Sequence, residues 1–136
     1  MPDHNWLAIA VAAVTAFLIG GLWYSPILFA KQWMVANLIS ADQLPAMKAS
    51  APRAYAVSVV CFFVMAFVME LFINHMGLAT LKGGIEVAFH CWLGFAFTIG
   101  LTANMYSNKP IAAFFIDAGY QLVYMLAMGA ILGAWR

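Results

Sequence analysis

Charged residues are scarce in this sequence of 136 residues, because Lys, Arg, Asp and Glu together make up 8% of it. A soluble domain has about a quarter of its residues charged, so this chain cannot cover a water-facing surface. Hydrophobic residues make up 66%, and the mean hydropathy is +0.93. The scarcity of charge therefore predicts an integral membrane protein in contact with membrane lipid.

Basic clusters and metal-binding patterns are also missing from the sequence. The net charge is +1 and the Lys and Arg residues stand singly, which argues against nucleic acid as a partner. The two cysteines, Cys61 and Cys91, have no zinc-site spacing and are interpreted as small buried hydrophobes. His90 is the one imidazole deep in an apolar run, so a haem would lack a second axial ligand. We expect neither a metal nor a cofactor.

Four apolar stretches are long enough to cross a bilayer as helices, which takes about 20 residues each. They cover residues 6–30, 53–76, 84–106 and 110–135, and no strand alternation competes with them. We predict an all-α fold, a four-helix transmembrane bundle that forms one domain over residues 1–136. A short interfacial helical connection joins spans one and two, with a capping box at Ser40 and Gln43. Pro52 is expected in the first turn of span two.

A polar face is predicted on span four, where Asp117, Tyr120, Gln121 and Tyr124 recur at helical spacing. Asp117 lies about 10 Å into the span. The face either binds protons or a ligand, or it is a network of interhelical hydrogen bonds worth about 1 kcal/mol each. A carboxylate in hydrocarbon is costly, so the functional interpretation is favoured for Asp117. Further polar candidates on the same side of the membrane are Asn104, Tyr24 and Ser25.

A second polar group is predicted toward the opposite membrane face. Glu86 and His90 are four residues apart on span three, so their side chains can meet. Such a pair is a candidate proton relay, or half of a metal site with too few ligands to assign. Glu70 approaches the same face from the end of span two, so all three residues are expected to form one cluster. Its role, structural or functional, stays open.

Small residues are spaced for close helix packing in two spans. They are Ala8, Ala12, Ala16 and Gly20 in span one, and Gly129 and Gly133 in span four. Four short helices enclose little volume, so a pathway would form more easily between copies. We therefore expect a homo-oligomer that packs through these small-residue faces.

The orientation is predicted from the Lys and Arg residues in the connections. One membrane face carries Lys31, Lys48, Arg53 and Lys109, and the other carries Lys82 and Arg136. The excess of positive charge on the first face predicts that both termini lie outside the cytoplasm.

Two segments carry a resemblance to a known family. The first is Gly21-Leu22-Trp23-Tyr24-Ser25-Pro26, followed by Phe29, Lys31, Trp33 and Met34. The second is the tail with Ile116-Asp117-Ala118-Gly119-Tyr120-Gln121 and Met128-Gly129-Ala130-Ile131-Leu132-Gly133. Together they resemble the bacterial and fungal membrane family catalogued as domain of unknown function 1761. The resemblance implies a four-helix integral membrane protein and brings no activity. We expect the protein in a bacterial inner (plasma) membrane.

Three functions are compatible with these observations. The leading one is transport or permeation through an oligomer that uses the intramembrane carboxylates. The alternative is a non-catalytic accessory or structural subunit of a larger membrane complex. A lipid-modifying enzyme comes third, because the sequence shows no nucleophile–base pair or metal-ligand set beyond Glu86 and His90.

Overall fold

The structure, a computed structural model, describes residues 3–135, and all of its regular elements are helical. The elements are α1 (Trp6–Trp23), α2 (Ala30–Ala36), a 3₁₀ turn (Ala41–Gln43), α3 (Leu44–His75), α4 (Leu81–Cys91), a π-helical segment (Trp92–Phe97), α5 (Thr98–Tyr106) and α6 (Ile111–Ala134). The last turns of α4 run through the π-helical segment into α5, which gives one helix over Leu81–Tyr106. Four helices are long and apolar enough to span a membrane. The predicted all-α fold with four spans is confirmed.

The first two spans have different boundaries from those predicted. Helix α1 ends at Trp23 rather than near Ala30, because the chain turns over residues 24–29 around Pro26, which cannot continue a helix. Helix α3 begins at Leu44, with a proline in its first turn, and Pro52 lies in its interior. The prediction that Pro52 opens span two was therefore wrong, and Pro45 occupies that position.

The connection between spans one and two is helical, as predicted. Helix α2 is followed by the 3₁₀ turn, where the Ser40 backbone N–H donates to Gln43 Oε1 at 3.1 Å. The turn leads directly into α3, so the short helix expected toward Ser50 is the start of span two. Because α3 has 32 residues, it is about 48 Å long and exceeds a hydrocarbon core of about 30 Å.

Helix α6 is the central element of the bundle. It packs most extensively against α4 and α1, and α1 also packs against α3, whereas α3 and α4 touch over a short stretch only. The core between these helices contains the fully buried side chains of Ile9, Ile73, Met128 and Leu132. The bundle is therefore tight around α6 and open along the seam between α3 and α4.

The small residues pack helices within one chain. Ala8, Ala12 and Ala16 are at most 1% exposed in the monomer. Gly129 and Gly133 lie against the backbone of α4 at Gly84, so close that a Cβ on any of these glycines would collide with backbone atoms of the other helix. The prediction that these faces join copies was therefore wrong, because the chain's own helices already occupy them.

Arg136, which entered the orientation prediction, lies outside the described residues. Lys109, the basic residue just before α6 at its other end, donates from Nζ to Asn37 Oδ1 at 3.2 Å. This contact ties the connection after α2 to the turn that precedes α6.

Candidate functional site

Asp117 lies in the second turn of α6, where its carboxylate faces the end of α1. The Tyr24 hydroxyl donates a hydrogen bond of 2.6 Å to Asp117 Oδ1. Tyr24 follows directly after the last residue of α1, and both residues are half-buried. The sequence predicted several possible hydrogen-bond donors for Asp117, and Tyr24 is the one that contacts it in the structure.

No cation compensates the Asp117 carboxylate within residues 3–135. The two ion pairs in this part of the chain are His4–Glu70 and Lys82–Glu86. The second carboxylate oxygen, Oδ2, forms no hydrogen bond with the described residues and is not enclosed. The Asp117 carboxylate therefore accepts one hydrogen bond, from a neutral donor, at Oδ1, and its Oδ2 stays accessible.

Two tryptophans fix the turn of α6 that carries Asp117. The Trp23 indole N–H donates to the Ile116 carbonyl at 3.1 Å, and the Trp92 indole N–H donates to the Ala118 carbonyl at 3.0 Å. One comes from the end of α1, and the other is the first residue of the π-helical segment. These bonds hold the carbonyls on either side of Asp117 and so restrain its position.

Trp92 was not among the residues predicted to belong to the site. A tryptophan in mid-span carries an N–H that needs an acceptor when it is buried, and this was the available signal. Its partner could not be predicted, because it depends on which helices become neighbours in the bundle.

An aromatic row continues from Tyr24 along the seam between α1 and α6. The ring of Tyr120 makes edge contacts with Tyr24 at 5.2 Å and with Tyr124 at 4.7 Å, and Tyr124 contacts Phe62 at 5.1 Å. The Tyr120 hydroxyl donates to the Ala16 carbonyl at 3.0 Å. Gly20 provides the necessary room, since a Cβ there would lie 2.5 Å from that hydroxyl.

The other residues predicted around Asp117 bond elsewhere. Ser25 Oγ donates to the Leu22 carbonyl at 2.6 Å, and Asn104 Nδ2 donates to the Pro110 carbonyl at 3.4 Å. Asn104 Oδ1 is buried without a hydrogen-bond partner in the described chain. Gln121 is half-buried, and its side chain forms no hydrogen bond with residues 3–135. Among the predicted donors, Tyr24 is thus the one that contacts Asp117.

Glu70 belongs to a separate buried site near the chain termini. It is 1% exposed, and its carboxylate accepts from His4 Nδ1 at 2.8 Å and from the Asn5 backbone N–H at 3.1 Å. Asn5 also caps α1 and donates from Nδ2 to the Trp135 carbonyl at 3.2 Å. Glu70 therefore joins α3 to the positive end of the α1 dipole, and Asn5 joins that end of α1 to the end of α6.

The predicted cluster of Glu70, Glu86 and His90 was wrong, because Glu70 points toward α1 rather than α4. Glu86 and His90 are both exposed. His90 Nδ1 lies 2.7 Å from the Glu86 backbone carbonyl, and the Glu86 carboxylate lies 3.8 Å from Lys82 Nζ. The prediction that the Glu86 and His90 side chains pair with each other was therefore wrong.

A metal centre is not assembled in the described residues, where no group of three His, Cys, Asp or Glu side chains could hold an ion. The chemistry available at the Asp117 site is that of a carboxylate and a phenol, because both indole N–H groups already donate to backbone carbonyls. This combination can hold, release or exchange a proton, or present an oxygen to a small cation.

Four membrane-length helices define a small integral membrane protein. The chain belongs to the family described as Protein of unknown function (DUF1761), whose model matches residues 7–133. This confirms the family to which the Trp-Tyr-Ser-Pro run and the closing segment pointed. No curated protein and no solved structure matches the chain.

Proposed function

We propose that the protein conducts protons or small cations across its membrane and that Asp117 is the group that takes them up. The observation that carries this proposal is a carboxylate within a spanning helix that has no cationic partner in the described chain. Ionisable residues inside membrane spans are rare and commonly mark ion or proton pathways.

The contact with Tyr24 suits such a role. A tyrosine hydroxyl keeps its proton near neutral pH, because the ordinary pKa of tyrosine is about 10. Tyr24 therefore acts as a donor toward Asp117 and stabilises the ionised carboxylate. The accessible Oδ2 is left to accept a proton or to contact a cation, and the two indole bonds hold the carboxylate in place during the exchange.

We place the pathway between copies of the chain. The seam between α1 and α6 is filled by the aromatic row, and Asp117 is half-buried beside it, so a path between copies fits better than one inside the bundle. Gln121, one turn further along α6, has no hydrogen-bond partner in the described chain, and a polar group facing lipid gains by pairing across an interface. The proposed homo-oligomer is thus joined along the Asp117–Gln121 edge of α6.

A cysteine cross-linking experiment tests this interface. In a variant with Cys61 and Cys91 replaced by alanine, Gln121→Cys is expected to give a disulfide-linked dimer on mild oxidation, since equivalent residues meet at a symmetric contact. Val123→Cys, on an exposed part of the same helix, is the control and should stay monomeric. A dimer from Val123→Cys alone would place the contact on another face.

The membrane and the orientation belong to the same proposal. We propose a bacterial inner membrane as the location, and on the basis of the Lys and Arg bias we propose that both termini lie outside the cytoplasm. A topology reporter fused at the C-terminus is expected to report the non-cytoplasmic side. A reporter inserted at the 3₁₀ turn should report the cytoplasmic side, and reversed signals would overturn the orientation.

Reconstitution tests the conduction itself. Purified protein is reconstituted in liposomes, and a potassium diffusion potential drives protons across the membrane. The internal pH, measured with a pH-sensitive dye, is expected to change faster than in protein-free liposomes. Tyr24→Phe should slow the flux several-fold without unfolding the protein, because it removes one donor worth about 1–2 kcal/mol. Flux no faster than in empty liposomes, for protons and for alkali cations alike, would contradict the proposal.

The second candidate is a non-catalytic subunit of a larger membrane complex. It is favoured by the middle of α3, where Tyr55, Val57, Val60 and Val64 are each more than half exposed. Co-purification of one partner in fixed ratio, lost when Val60 and Val64 are replaced by serine, would support this candidate.

A further inference from the structure

A groove lies along the seam where α3 and α4 touch little. Its volume is about 490 Å³, within the range typical of small-molecule sites. The apolar wall is formed by Phe72, Met76, Val87, Cys91 and Phe95, with Gly94 at the inner end. Glu86 and His90 line the same groove. None of these residues contacts Asp117, so the groove is independent of the proposed conduction site.

The position of the groove determines which molecules can reach it. Both of its walls are membrane-spanning helices. Its lining residues on the second of these helices extend from Glu86 to Phe95, a rise of about 14 Å, which is close to half the thickness of a hydrocarbon core of about 30 Å. The groove therefore runs from the membrane surface toward the midplane, along the path of an acyl chain in one leaflet.

The polar groups of the groove present hydrogen-bond acceptors. His90 Nδ1 lies 2.7 Å from the Glu86 backbone carbonyl, which can only accept, so Nδ1 carries the proton. In the neutral ring, Nε2 is then an acceptor. The Glu86 carboxylate is a second acceptor, and Lys82, 89% exposed at the outer end, supplies a positive charge 3.8 Å away.

We propose that this groove binds a membrane lipid with a primary-amine headgroup, such as phosphatidylethanolamine. The ammonium donates to Glu86 and to His90 Nε2, the lipid phosphate lies beside Lys82, and one acyl chain follows the apolar wall to Gly94. The charges are complementary, because the Lys82–Glu86 pair meets a headgroup that carries one negative and one positive charge. Side chains on a helix lean toward its N-terminus, so Glu86 and His90 both reach toward the headgroup level.

Phosphatidylcholine is the decisive comparison, because it has the same net charge but its quaternary amine has no N–H to donate. In native mass spectrometry of the full chain, released from micelles that contain equal amounts of the two lipids with identical acyl chains, phosphatidylethanolamine should be retained about tenfold more often, as expected for a charge-assisted hydrogen bond. Equal retention of the two lipids would overturn the proposal.

Two kinds of variant locate the binding. Glu86→Gln and His90→Phe should each reduce the preference several-fold, and the double variant should abolish it. Gly94→Leu places a side chain in open space and should reduce the retention of both lipids. Asp42→Asn, an exposed carboxylate on the 3₁₀ turn, is the control and should leave the preference unchanged. An unchanged preference in the double variant, or a second copy of the chain seated in the groove, would also overturn the proposal.

Discussion

The Gly84→Ala variant is expected to unfold more readily than the wild type, with a loss of about 1–3 kcal/mol in the free energy of unfolding. A Cβ at this position would collide with the Gly129 backbone carbonyl, and it would also lie 3.0 Å from the Gly133 Cα. Because the obstacle is backbone, α4 and α6 must separate to relieve the collision. Unfolding of the purified protein in detergent with increasing sodium dodecyl sulfate measures the effect.

Gly94→Ala is the matched control for this prediction. It lies on the same membrane-spanning helix, and a Cβ there meets nothing within 4 Å. The substitution should be neutral or stabilising, because alanine restricts the unfolded chain more than glycine does. If both alanine variants have the same stability, the close contact between α4 and α6 does not hold the bundle together.

Glu70→Ala is expected to lower the free energy of unfolding by about 2–4 kcal/mol. The substitution removes the acceptor of His4 Nδ1 and of the Asn5 backbone N–H, and it leaves a cavity between α1 and α3. Loss of one partner from a fully buried ion pair costs about 3–5 kcal/mol. We expect a smaller loss because the His4 side chain is 24% exposed and can regain contact with water.

Two further variants show how much of this loss comes from the charge of Glu70 and how much from its buried position. Glu70→Gln keeps an acceptor oxygen without the charge and should lose about half as much stability. Glu86→Ala removes an exposed carboxylate from a spanning helix and should change the stability by less than about 0.5 kcal/mol. A Glu70→Ala variant as stable as Glu86→Ala would show that the contact between α1 and α3 does not depend on the carboxylate.

The four spans could be predicted from hydropathy because each apolar run exceeds the length that a bilayer requires. The polar face of α6 could be predicted as well, since helical periodicity alone places Asp117, Tyr120 and Tyr124 on one side. Helix ends were less predictable. Pro52 is tolerated inside α3, because a proline removes one backbone bond without necessarily ending a long helix.

Partners across the bundle could not be predicted, because they depend on which helices become neighbours. Glu70 was expected beside Glu86, and it contacts His4 because α3 packs against α1 far more than against α4. The partner of the small-residue faces could not be predicted for the same reason. Glycines spaced every four residues predict a close helix contact, but the spacing does not tell whether the second helix belongs to the same chain.

Two of the intramembrane carboxylates differ in their contacts, and we propose that they differ in role, with Glu70 holding helices together and Asp117 exchanging protons or cations. The separation rests on their contacts. Glu70 is fully buried and bonded to His4 and Asn5, whereas Asp117 has one neutral donor and one accessible oxygen. The two residues should accordingly respond differently to the loss of their charge.

The most direct test is the flux through liposomes that contain equal amounts of wild-type protein or Asp117→Asn. The asparagine can keep the hydrogen bond with the Tyr24 hydroxyl, so the variant should fold and keep its stability within about 1 kcal/mol. It can neither take up a proton nor bear a charge, so we predict that the protein-dependent flux falls at least about tenfold, a barrier difference of about 1.4 kcal/mol. An Asp117→Asn protein that folds normally and conducts at the wild-type rate would contradict the proposal.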